Sequence, residues 1–346
     1  MLQKDKIKGV SNFLGERRIR AKTKRRRLYE VENTDTEDRL SDLPEGVLLH
    51  ILSFLDAKYA VQTCVLSTRW KYLWKLIPTL ILHSWEFSTE KRFAIFVSKI
   101  LTLRDGSTIL KALDLDHHGN IEPHLLKKVL NYVCSHNTHL QRLEISVSGD
   151  SSRILSCVSS CRALTSLSLS VFPEGLYNFG NILFPKSLNL PTLTSLDLTN
   201  FAFCASDNVD RAEPFSVFNN LNSLTIGGCT LRDAPILSIS SATLVNFTVC
   251  FNSPKYAKIE LNTPSLNCFT FRGPPHQRLC GSSLSNVKQV NIDALPWPEH
   301  PLILYKWLQD LDGMKSLTVT TSTLQVLSSY DDYFNFQILS TIKCLA

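Results

Sequence analysis

The sequence predicts an α/β protein: a small three-helix module followed by a curved solenoid whose parallel strands are joined by helices or loops. Three observations predict it. The pattern apolar-x-x-apolar-x-apolar recurs nine times from Leu110 onward. Several of the intervening segments place apolar residues at helical spacing. Residues 38–82 carry three short amphipathic stretches of their own.

The chain has 346 residues, 44% of them hydrophobic and 20% charged, which is ample for a core. Its net charge of +6 is uneven. Residues 1–30 hold eleven Lys and Arg against three acids, a local excess of +8 that leaves the rest at −2. Lys22, Lys24, Arg25, Arg26 and Arg27 form a tight basic run of the kind read by nuclear import receptors. Residues 1–37 are expected to be a disordered basic tail and linker, and the chain nuclear, cytoplasmic or both. A near-neutral body is a poor partner for a nucleic-acid backbone. No stretch approaches the roughly 20 apolar residues of a membrane span, and the charged N-terminus lacks the apolar core of a secretory signal.

The first module starts at Pro44, which has no backbone N–H and suits a first helical turn. Val47, Leu48, Ile51, Leu52 and Leu55 then make one wide apolar stripe. Asp56 is placed to cap a second helix carrying Ala60, Val61, Cys64 and Val65. Ser67 is placed to cap a third, with Trp70, Leu73, Trp74 and Ile77, and Pro78 ends it. A domain this small is marginal alone. It carries more large apolar residues than it can hide, with Leu43, Leu52 and Trp74 as the surplus, so a partner is expected to cover it.

Residues 38–82 resemble an F-box. The resemblance rests on Leu43-Pro44 with Leu48, Ile51, Leu52 and Leu55, then Val65 through Ser67-Thr68-Arg69-Trp70, then Leu73-Trp74. It is nearest to the plant group with an F-box followed by leucine-rich repeats; Thr68 stands where that group often has Lys. The resemblance implies docking onto a Skp-type adaptor through Leu43, Pro44, Leu48, Ile51, Leu52, Val65, Trp70, Leu73 and Trp74, and through that adaptor onto a cullin and a RING subunit. The group often carries a further C-terminal domain; the chain is expected either to lack it or to hold only its beginning, around Tyr333 to Leu345.

Phe93, Phe96, Val97 and Ile100 mark a further helix with Gly106 as its stop, expected to cap the first strand of the solenoid. The nine motifs begin at Leu110, Leu140, Leu164, Leu193, Leu221, Leu244, Leu266, Val287 and Met314. Their offsets of 21 to 30 residues fit leucine-rich repeats, and residues 83–346 are assigned to such a ribonuclease-inhibitor-like solenoid. The fifth repeat matches the consensus best, through Leu221, Leu224, Ile226, Cys229 and Leu231. Most others lack Asn or Cys at the ninth position, so irregular turns are expected on the convex side. Two connections read as helices: Leu125, Leu126, Val129, Leu130 and Val133 after Pro123, and Leu304, Trp307, Leu308 and Leu311.

In each motif the fourth and sixth positions should point inward and the fifth and seventh outward, onto the concave face. The charged members of that outer set are Asp114, Asp116, Glu144, Asp197, Arg272 and Asp293. Acids gather at the first strands, which favours a cationic partner. No glycine-rich phosphate loop, HExxH or GxSxG occurs, and no catalytic residue, metal or cofactor is implied. His117 and His118 are adjacent, so on a strand they face opposite ways. The ten cysteines include no CxxC pair and read as reduced, buried thiols.

The expected function is the substrate-recognition adaptor of a Skp-cullin-F-box ubiquitin ligase acting on an unidentified target protein. A cullin-independent binding scaffold and a small-molecule-dependent receptor are the alternatives.

Overall fold

The computed structural model describes residues 43–104, 106–172, 182–205, 210–251, 258–295, 301–328 and 342–344. The basic run at Lys22, Lys24, Arg25, Arg26 and Arg27 lies outside them. Contacts divide the chain into two compact units, residues 1–82 with 86–110, and residues 83–85 with 111–346.

In the first unit, helix α1 (Glu45–Leu52) begins after Pro44, whose carbonyl accepts from the backbone N–H groups of Val47 and Leu48. Helix α2 (Ala57–Gln62) is capped as its sequence requires: the Asp56 carboxylate accepts from the Lys58 N–H at 2.7 Å. The end of the expected second helix is a 3₁₀ turn, Thr63–Val65, and the expected third α-helix is a 3₁₀ helix, Trp70–Lys75. Ser67 caps nothing; its buried hydroxyl has no hydrogen-bond partner. In a 3₁₀ helix residues three apart share a face, which puts Trp70 and Leu73 together on the buried side.

Strand β1 (Thr79–His83) leads to helix α3 (Glu90–Leu103), capped by Thr89, whose hydroxyl accepts from the Arg92 N–H. Phe93, Phe96, Val97 and Ile100 are buried along one face. The Phe87 ring meets Phe93 at 5.5 Å and Phe96 at 5.0 Å, and the Arg104 guanidinium donates to the Ile77 carbonyl. This helix packs within the first unit.

The second unit is built on ten strands: β2 (Ala112–Asn120), β3 (Arg142–Ser148), β4 (Ser166–Phe172), β6 (Ser195–Thr199), β9 (Ser223–Gly227), β12 (Asn246–Cys250), β14 (Cys268–Gly273), β16 (Gln289–Ala294), β17 (Ser316–Val319) and β18 (Ile342–Cys344). They lie side by side in that order, each neighbouring pair parallel. Each of the nine motifs is one of the first nine strands. Every fourth and sixth motif residue, from Leu113 and Leu115 to Leu317 and Val319, is at most 2% exposed. The first motif residue is also buried, except for the half-buried Met314.

Helices join the strands at the two ends of this sheet. Helices α4 (Pro123–Ser135) and α5 (Ser151–Ser160) follow β2 and β3, while α6 (Pro301–Asp310) and α7 (Thr321–Ser328) flank β17. The middle connections form strands, which the sequence reading left as irregular turns. Strands β5 (Ile182–Leu183), β7 (Phe201–Cys204) and β10 (Thr230–Arg232) make one parallel ladder. Strands β8 (Arg211–Ala212), β11 (Ile236–Ser240), β13 (Lys258–Asn262) and β15 (Arg278–Cys280) make another. Phe184, Phe201, Phe203, Phe215 and Phe218 fill the core of the first ladder. Cys229, the consensus residue of the fifth repeat, donates its thiol to the Leu198 carbonyl of the preceding repeat at 3.4 Å. Full burial pushes this thiol's pKa up to about 12, so it stays protonated and able to donate.

Candidate protein-docking surfaces

The residues expected to meet an adaptor fall into two groups. Leu48 and Leu52 are fully buried on the inner face of α1, and Trp70, Leu73 and Trp74 pack beneath the 3₁₀ turns. Leu52 and Trp74 are therefore core residues, not surplus ones. The module closes on them because Leu48 and Leu52, four apart, share the inward side of the helix. Pro44, Ile51 and Val65 are exposed and Leu43 is half-buried.

The outer face joins Phe54 and Leu66, which periodicity did not single out, to Val47, Ile51 and Val65. Val47, Ile51 and Phe54 lie at helical spacing along the solvent side, with Phe54 70% exposed. Val65 and Leu66 follow at 77% and 62%. The Arg69 guanidinium donates to the Leu43 carbonyl, which ties the segment after Leu66 to the residue before Pro44. So many large apolar side chains in solvent, on so small a module, form a surface built for a protein partner.

In the sheet of the second unit the fifth and seventh motif residues are half-buried, apart from the exposed Arg272 and the buried Gly227. Register places Asp114 beside Glu144, Glu144 beside Ser168, and Ser168 beside Asp197, one strand spacing apart at about 4.8 Å each. Asp116 starts the next row, beside Ser146. Partial burial raises the pKa of Asp116, of Glu144 and of Asp197; the Asp114 charge adds to the effect at Glu144, and the Glu144 charge to that at Asp197.

Three residues outside the motif pattern complete this end of the sheet. His83 Nε2 lies 3.0 Å from Asp114 Oδ2. The half-exposed Trp85 ring stacks on His83 at 4.1 Å and meets the His118 ring edge-on at 5.6 Å. His117 is buried and His118 is solvent-facing, as their adjacency on β2 requires. Nothing in the repeat spacing marks His83 and Trp85, because they precede the first motif.

At the other end, Arg272 is exposed and in register with Asp293. Asp293 is engaged internally, accepting from the Thr320 hydroxyl at 2.9 Å and the Ser322 hydroxyl at 3.4 Å. Among the described residues, no three His, Cys, Asp or Glu side chains are arranged to hold a metal ion, and no helix is long and apolar enough to cross a membrane.

Comparison with known proteins bears on both surfaces. Residues 40–81 match the F-box domain family. F-box/LRR-repeat protein 13 of Arabidopsis thaliana is 26% identical over 324 residues, covering 87% of this chain and 68% of the relative. Along most of its length the chain is similar to plant F-box/leucine-rich-repeat proteins. A second Arabidopsis F-box/LRR-repeat protein is 27% identical over 322 residues, covering 89% of this chain and 97% of its own length. An Arabidopsis FBD-associated F-box protein is 48% identical over 83 residues, 23% of this chain and 19% of the relative. The matched segment spans the exposed apolar residues of α1 and the 3₁₀ turns, and the repeated motifs form the long parallel sheet.

Proposed function

We propose that this protein is the substrate-choosing, non-catalytic subunit of a Skp-cullin-F-box ubiquitin ligase. The observation that carries the proposal is the solvent-facing apolar surface of Val47, Ile51, Phe54, Val65 and Leu66 on the F-box. It docks the Skp-type adaptor, with Leu43 and Pro44 at its edge, while Leu48, Leu52, Trp70, Leu73 and Trp74 hold its shape from beneath. The adaptor connects the chain to a cullin and a RING subunit, which supply the ubiquitin-transfer machinery.

The sheet face of the repeats takes the target. Asp114, Asp116, Glu144 and Asp197 crowd its first strands beside the exposed Trp85 ring. That chemistry fits a Lys/Arg-rich segment of the target: a cation offsets the crowded carboxylates and also sits favourably on an indole face. Arg272 and the engaged Asp293 lie toward the other end of the same face. The basic run Lys22, Lys24, Arg25, Arg26 and Arg27 directs the chain to the nucleus, with the cytoplasm as the alternative compartment.

The experiment is capture of the adaptor and cullin by the full chain, compared with Val65→Asp combined with Phe54→Ala. The wild type brings down both subunits, and the double variant loses them together while remaining folded. Adaptor without any cullin supports the cullin-independent scaffold, and undiminished capture by the variant overturns the docking surface. Target recognition is tested separately with Asp114→Lys plus Glu144→Lys at low and moderate salt; unchanged affinity and salt dependence removes the acidic face from recognition.

A further inference from the structure

Two thiols on neighbouring helices are close enough to react with each other. Cys134, in the last turn of α4, and Cys157, in the middle of α5, have their Sγ atoms 3.2 Å apart. Neither is used by the docking surfaces. Cys134 is half-buried and open to a small solute, while Cys157 is only 5% exposed. A disulfide needs an S–S separation of about 2.0 Å, so bond formation asks for roughly 1 Å of approach by side-chain rotation.

The surroundings assign different roles to the two sulfurs. Cys134 Sγ lies at the edge of the pair, 3.9 Å from the Ser160 hydroxyl, whose shorter bond goes to the Cys157 carbonyl at 2.7 Å. Cys157 is packed among thiols and backbone: its Sγ faces the Leu130 carbonyl at 3.6 Å, and Cys161 donates to the Cys157 carbonyl at 3.4 Å. The neighbouring Cys161 thiol, together with burial, raises the Cys157 pKa, so Cys157 is not the first thiol to react. Cys161 is fully buried.

We propose that Cys134 and Cys157 are a redox-closable pair, in which a small-molecule disulfide such as oxidised glutathione converts the two thiols into a bond that staples α4 to α5. The Cys134 thiolate attacks one sulfur of the small disulfide. That S–S bond breaks, a mixed disulfide forms on Cys134, and the departing thiolate takes up the proton Cys134 released. Cys157 then gives up its proton and attacks Cys134 Sγ, expelling the second small thiol. Two protein thiols are oxidised and one small disulfide is reduced to two thiols. The second step draws on a poor thiolate, but it is intramolecular between atoms already in contact. In a reducing compartment the bond stays open, and it closes when the thiol pool is oxidised.

The closed bond would clamp the two helices that follow β2 and β3, the strands bearing Asp114, Asp116 and Glu144. It acts as a stability switch behind the acidic end of the sheet.

The test is incubation of the full chain with oxidised glutathione, followed by alkylation and peptide mass mapping without reductant. The expected product is a Cys134–Cys157 cross-linked peptide that reductant reverses, with a severalfold slower limited proteolysis of the α4–α5 region. Cys134→Ser should abolish both effects. Cys157→Ser should instead accumulate glutathione on Cys134, which separates the attacking thiol from the resolving one. Three results overturn the proposal: stable glutathione on wild-type Cys134 with Cys157 still free, a Cys157–Cys161 link in place of the expected one, or no modification at all.

Discussion

Glu144 and Asp197 project from one row of the parallel sheet with only Ser168 between them, and each carboxylate is held above its ordinary pKa. Burial is the larger cause at both, and the Glu144 charge adds to it at Asp197. A raised carboxylate binds its proton more tightly in the folded chain than in the unfolded one. The stability this contributes is fully present below the ordinary carboxylate pKa and is lost as pH rises through the folded value. Asp197→Asn should therefore stabilise the repeats at neutral pH, by up to about 1 kcal/mol for a partly screened charge. The gain should shrink as the medium is acidified through the carboxylate range. Melting curves across that range check it; an equal gain at every pH would show that charge is not the cause.

Much of this face was legible because one rule of alternation fixes it. Once Leu113 and Leu115 are inward, Asp114 and Asp116 must be outward, and each later motif repeats the argument. The second layer of strands was not legible. Ile236–Ser240 pairs with Lys258–Asn262 in the next coil, and a short strand of that kind has no local signal beyond a few apolar residues. The F-box shows a similar limit. Val47, Leu48, Ile51 and Leu52 make a stripe too wide for periodicity to say which edge faces the core, and packing alone puts Leu48 and Leu52 inside. His83 and Trp85 were missed because they join the acidic end through space, from before the first repeat.

That division in the F-box separates stability from binding. Leu52→Ala removes a fully buried side chain and should destabilise the first unit by about 2–5 kcal/mol. Val65→Asp changes a side chain that is 77% exposed and should leave stability within about 0.5 kcal/mol. It should nevertheless weaken adaptor binding by about 2 kcal/mol or more, the scale of an interface hot spot. Thermal melts paired with adaptor titrations distinguish the two. Loss of stability in Val65→Asp would place that side chain in the core.

Close approach of successive coils supplies another test. A Cβ added to Gly281, which has φ +134°, would lie 2.0 Å from the Leu261 carbonyl oxygen, and that oxygen belongs to rigid backbone in β13. Gly281→Ala must push apart β13 and the turn after β15, as well as strain its own backbone. The expected cost is at least about 3 kcal/mol, read by urea unfolding. A variant as stable as the wild type would mean that the two coils do not pack this closely in solution.

The last prediction concerns Thr323, which is fully buried in α7 and serves two backbone groups at the end of β16. Its hydroxyl oxygen accepts from the Ala294 N–H at 2.8 Å, and its proton is directed at the Ile292 carbonyl at 3.0 Å. Thr323→Val keeps the shape and removes both bonds. The Ala294 N–H is then buried without an acceptor, while the Ile292 carbonyl keeps only the Thr320 N–H at 3.3 Å. One stranded buried group costs about 1–3 kcal/mol, so the variant should lose on that order, while Thr323→Ser, which retains the hydroxyl, should lose less. Hydrogen exchange gives the local readout: the Ala294 amide should exchange faster in Thr323→Val than in Thr323→Ser. If Val proves no worse than Ser by either measure, the side chain contributes volume alone, and the junction of α7 with β16 is held by packing without help from its hydroxyl.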